Sequence, residues 1–183
     1  FDAITFAEPM YPVYDGITKT PVIYADVSQA YQNIFKADTG ESSFPNFTNP
    51  QDPDYFKTNT ALYQKLVRHR IDSITNYFDE IVNGAGGLRE LSPDTVVITW
   101  SLACSKLANG GVGLLPEWEG NDAYDIVKKS KPDMHYYQTH WPDWVDAALA
   151  PEHVYSYIPN FRECWRAASD VPVGVQDDIG SHD

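Results

Sequence analysis

Cysteine is nearly missing: Cys104 and Cys164 are the only two in 183 residues. That excludes a disulfide-dense miniprotein and leaves no thiol set for a metal cage. The pair reads as buried structural thiols, or at most as one bridge. Basic residues are also scarce, with 13 Lys+Arg against 26 Asp+Glu and a formal charge of −13. No basic stripe interrupts that excess, so a phosphate backbone would be repelled and nucleic acid is excluded as a partner. No apolar run approaches the roughly 18 residues of a membrane helix, and no charged segment precedes an apolar stretch near the first residue. A soluble chain without a membrane span is expected. The chain opens on Phe1 in place of Met, which fits a processed product or an excerpt of something longer. Acidity together with 14% aromatic residues points to a secreted or extracytoplasmic protein. Asn46 heads an Asn-Phe-Thr sequon, a pattern that arises too often by chance to add much.

Several compact motifs are absent as well. The cluster Gly84, Gly86, Gly87 lacks the Lys-Ser/Thr ending of a phosphate loop and follows a helical pattern instead of a strand. No Gly-x-Gly-x-x-Gly turn marks a dinucleotide site. Ser101 stands in Trp-Ser-Leu-Ala, without the Gly-x-Ser-x-Gly elbow that exposes a nucleophile, and no His-Glu-x-x-His occurs. No cofactor is indicated.

What is present is enough apolar material, 43% of residues, for one core at this length. A single α/β domain over 1–183 is expected, with three zones. Residues 1–54 are irregular and proline-rich, with a strand-like Pro21–Tyr24, a short helix near Ser28–Phe35 capped by Asp26 and Gln29, and a loop over Gly40–Asp54. Residues 55–84 carry Leu62, Leu66, Val67, Ile74, Phe78 and Ile81 at spacings of three and four, a long helix closed by the glycines after Asn83.

From residue 91 to 183 short apolar runs alternate with helix-like segments. The runs are Thr95–Trp100, Gly111–Leu115, Met134–Gln138, His153–Tyr157 and Val171–Val175. Between them lie Leu102–Ala108, Asn121–Lys129, Pro142–Leu149 and Asn160–Ala168, with Asn121 and Asn160 as N-caps. Repeating βα units imply a mostly parallel sheet. An incomplete or degenerate (β/α) barrel is favoured over an open doubly wound sheet, as part of a larger barrel or completed by a partner chain.

Parallel α/β sheets assemble their sites from the loops at the carboxyl ends of the strands. By that rule Trp100 and Ser101, then Glu117, Trp118 and Glu119, then His140 and Trp141, then Asp177 and Asp178 share one rim. Glycosidic bonds are broken by two carboxyl groups, one donating a proton to the leaving oxygen and one acting as nucleophile or base. Glu119 and Asp178 are the candidate pair, with Glu117 and Asp177 as alternates. Trp118, Trp141, Trp100 and His140 would line a sugar subsite, since sugars pack C–H faces on aromatic rings. The expected function is a glycosidase-like carbohydrate-active hydrolase, or a portion of one, acting on an oligosaccharide or small molecule. One carboxyl of the pair is expected to titrate abnormally high. Two alternatives remain. One is a non-catalytic sugar-binding or assembly subunit; the other is a metal-dependent hydrolase using His140 with Asp177, Asp178, His182 and Asp183. His69, between two arginines, reads as a surface or partly buried helix residue, and His135 and His153 as satisfied structural histidines of strands.

Overall fold

β-branched and aromatic residues dominate Val96–Leu102 and Met134–Gln138, and both segments form strands. The computed structural model describes residues 2–12, 26–103, 116–139 and 150–176. Within them four strands, β1 (Ala3–Thr5), β2 (Val96–Leu102), β3 (Met134–Gln138) and β4 (Val173–Gln176), form one sheet in the order β1-β2-β3-β4. Every pairing is parallel. The protein is therefore of the α/β class, with a parallel sheet whose strands follow one another in sequence.

Three expectations change. β1 was not foreseen, because three residues are too few to show alternation. Trp100 does not end its strand, since β2 continues through Ser101 to Leu102. The run His153–Tyr157 is no strand: Pro151–Tyr157 is a 3₁₀ helix opening on proline, which pre-sets φ for a helical turn and gives no N–H to a ladder. The expected strands Pro21–Tyr24 and Gly111–Leu115 lie outside the described residues, as does the helical segment Pro142–Leu149.

The described residues of Phe1–Pro9, Ile74–Leu115 and Asn121–Asp183 form one compact unit, and those of Met10–Ser73 with Pro116–Gly120 another. In the first, strand alternation puts Val97, Thr99 and Ser101 on one face with their register partners His135 and Tyr137. Helices cover that face. They are α5 (Ala123–Ser130) and α6 (Ile158–Ala167) in the chain-order numbering used below, where α3 is the short Leu88–Leu91 turn without buried residues. Ala123 and Val127 of α5 and Cys164 of α6 pack with Tyr137, Tyr157 and Val171 in a buried cluster. The Tyr137 hydroxyl donates to the Asn160 carbonyl at 2.6 Å, anchoring α6 to β3. The opposite face carries Ile98, Trp100, Tyr136 and Gln138. Helix α5 is capped by Asp122, whose side chain accepts from the Asp125 amide, and not by Asn121; Asn160 sits inside α6, its amide on the Tyr157 carbonyl.

The second unit is built on α1 (Gln29–Thr39) and the start of α2 (Thr60–Asn83). Ser28, in place of Asp26, caps α1 by accepting from the Tyr31 amide, and Asp26 in turn holds Ser28. Helix α2 begins later than residue 55, where Asn59 accepts from the Leu62 amide. Tyr31, Phe35, Leu62 and Leu66 form its core, with Tyr11, Phe44 and Phe47 against it. Along α2 Leu62, Leu66 and Phe78 of the expected stripe are buried, joined by Thr75 and Val82, while Val67, Ile74 and Ile81 are half-buried at its side. No helix among the described residues is long and apolar enough to cross a membrane.

Candidate functional site

Glu117, Trp118 and Glu119 fall on a one-turn helix, α4 (Pro116–Glu119), in the second unit. The segment is pinned by its backbone. Tyr11 N–H donates to the Glu119 carbonyl at 2.8 Å, and Arg70 donates through Nη2 to the Trp118 carbonyl. The Arg70 guanidinium also lies 4.0 Å above the Tyr11 ring. Gly120 closes α4 at φ +69°, where a Cβ would meet the Arg70 carbonyl oxygen at 2.9 Å, so only glycine fits the exit. These contacts fix Glu119 with its side chain inward and 1% exposed. Neither of its carboxyl oxygens has a hydrogen-bond partner among the described residues. Burial alone pushes the Glu119 carboxyl up to about 8, because desolvation penalises the charged form. It is a protonated acid at neutral pH. Glu117 and Trp118 are half-buried.

In the first unit Trp100 is fully buried within β2, and its indole N–H donates to Gln138 Oε1 at 3.1 Å. It offers no open ring face for stacking a sugar. Ser101 is likewise buried, on the helix-covered face. His135 is a core histidine: Nδ1 meets Thr99 Oγ1 at 2.9 Å, and burial pulls its imidazole down to about 3. It is not fully satisfied, since Nε2 has no partner among the described residues. Cys164 is buried, and desolvation pushes its thiol up to about 12. His140, Trp141, Asp177, Asp178, His182, Asp183 and Cys104 lie outside the described residues. Among the described residues no group of three or more His, Cys, Asp or Glu is placed to hold a metal ion.

Sequence reasoning passed over residues that the sheet brings to the carboxyl ends of its strands. Glu8 follows β1 at φ +60°, a left-handed conformation that an L side chain adopts at a cost of about 1 kcal/mol. Asn121, 3% exposed, donates through Nδ2 to the carbonyls of both Pro9 and Trp100, at 3.2 and 3.4 Å. It ties the segment that follows β1 to β2. The Tyr136 hydroxyl on β3 is pushed above its usual range by burial and then by the Glu8 charge. The signal for Glu8 in the sequence was Glu-Pro after an apolar beginning, legible only once β1 is recognised.

The opposite ends of the strands hold a cavity of about 500 Å³, lined by Val127, Lys128, Lys131, Asp133, Asp170 and Pro172. It precedes β3 and β4, the end of a parallel sheet where conserved architecture usually serves stability rather than chemistry. No protein-family model, curated protein or solved structure matches the chain.

Proposed function

We propose that the chain is a carbohydrate-active hydrolase, or a portion of one, with Glu119 as its general acid. The observation that carries this is the buried Glu119 carboxyl, without a hydrogen-bond partner among the described residues and held protonated to about pH 8. Glycoside cleavage needs a carboxylic acid that still carries its proton at working pH, and apolar burial is a known route to one. Asp178, with Asp177 and Glu117 as alternates, is the proposed second carboxyl, and Trp118, Trp141 and His140 the proposed sugar contacts. The finer architecture we propose is an incomplete or degenerate (β/α) barrel. Its support is the strand order β1-β2-β3-β4, since a doubly wound sheet reverses direction at a switch point and these four strands do not.

The test is hydrolysis of a panel of aryl glycosides by the wild-type chain and by Glu119→Gln. The variant should lose roughly a thousandfold in kcat while unfolding cooperatively like the parent. Wild-type kcat/KM should fall above about pH 8 as the acid loses its proton. Unchanged turnover in Glu119→Gln removes the assignment. Sugar binding without any turnover favours the non-catalytic reading instead.

A further inference from the structure

We propose that Glu8, Tyr136 and Gln138 form a hydroxyl-binding subsite for one glycosyl unit at the carboxyl ends of β1 and β3. The ligand class rests on the hydrolase reading above; the placement rests on the sheet.

Tyr136 and Gln138 are two residues apart on β3 and so project to one face, opposite the one that α5 and α6 pack against and shared with the fully buried Trp100. Both are half-buried, neither enclosed nor fully in solvent. On the β4 side Tyr136 is paired with Gly174, and the end of the Met134 side chain lies over that glycine. On the β2 side its partner is Trp100, whose carbonyl shares the Asn121 amide with Pro9. That clamp brings Glu8, the residue before Pro9, to the same rim. Two strand spacings, roughly 10 Å, separate β1 from β3, a gap that a sugar ring with its hydroxyls can bridge.

The polar groups are complementary to a sugar. The Trp100 N–H donates to Gln138 Oε1, which settles the orientation of that amide and leaves Nε2 as a donor. Tyr136 supplies a hydroxyl that donates and accepts. Glu8 is exposed, so its carboxylate accepts from two neighbouring hydroxyls, the pattern presented by a vicinal diol. A residue held at φ +60° directly before a proline is strained, and such strain persists where the surroundings fix it, commonly at ligand sites.

Saturation-transfer NMR with a mixture of methyl glucoside, galactoside, mannoside and xyloside identifies the glycoside bound by the wild-type chain, and calorimetry with that glycoside gives its Kd. Glu8→Gln and Gln138→Glu should each weaken it about tenfold or more. Gln138→Glu keeps the acceptor for the Trp100 indole and removes only the outward donor, so it separates binding from folding. Tyr136→Phe, which deletes one hydroxyl, should weaken binding severalfold. Glu119→Gln should bind as tightly as the wild type while losing turnover. Wild-type affinity in Glu8→Gln and Gln138→Glu, or no glycoside bound by the wild-type chain, overturns the subsite whatever Glu119→Gln does. Lost binding in those variants with full turnover in Glu119→Gln keeps the subsite and removes the general acid.

Discussion

The Tyr31 hydroxyl meets Nδ1 of His69 at 3.1 Å, joining α1 to α2 through two buried side chains. The other ring nitrogen, Nε2, lies 3.0 Å from Asp38 Oδ2. A carboxylate only accepts, so Nε2 donates to Asp38. Burial, reinforced by a bond with Tyr11, holds the Tyr31 hydroxyl far above its usual range and so keeps it a donor. The His69 ring also packs edge-on against Tyr31 and Phe35.

This arrangement predicts unequal losses. Tyr31→Phe removes the hydroxyl that meets both His69 and Tyr11 but keeps the packed ring, and should cost about 1–2 kcal/mol. His69→Ala removes two bonds and a packed ring and should cost about 2–4 kcal/mol. Urea titrations of both variants measure the difference. Equal midpoints for His69→Ala and wild type would mean that the ring does not hold the two helices.

Two buried titrating groups give stability an opposed pH dependence. The Glu119 carboxyl is raised from 4.5 to about 8 in the folded state. Between those values the unfolded chain has released the proton and the folded chain has not, so stability falls as pH rises, by roughly 3 kcal/mol at pH 7. His135 is lowered from 6.5 to about 3. Its contribution is complete above pH 6.5 and is lost as pH falls toward 3, by roughly 5 kcal/mol. From about pH 4.5 to 6.5 the two slopes cancel. Denaturant midpoints across pH 4 to 9 should show the Glu119→Gln variant gaining on wild type steadily from pH 4.5 to 8, then no further. A constant difference between the two curves would rule out burial as the cause.

The sequence showed β3 to the residue and the body of β2, though not its last two residues, because each is a run of β-branched and aromatic side chains between polar turns. It also showed the long helix, whose stripe repeats through six turns. It misread His153–Tyr157 because alternating apolar residues there suit a strand or a 3₁₀ turn equally, and Pro151 and Pro159 decide the matter. Glu119 stood out as an acid after an apolar run, but its burial depends on Tyr11 and Arg70, which are remote in sequence. Glu8 was hidden because β1 has three residues, and Tyr136 because aromatic residues in a strand need no function to explain them. Trp100 was assigned to a rim on the assumption that its strand stopped there; two further residues of β2 put it inside.

Ala3 of β1 pairs with Val96 of β2, about ninety residues further along the chain, whereas β2, β3 and β4 are joined by much shorter segments. A three-residue strand returns few bonds for closing so long a loop, which makes β1 the last strand to dock and the first to leave. The Phe6 amide, bonded to the Ile98 carbonyl, should then lose protection in native-state hydrogen exchange before the His135 amide, bonded to Pro172. Glu8 travels with that strand. A chain that has assembled the rest of its sheet would still lack the Glu8 side of the proposed subsite until β1 docks.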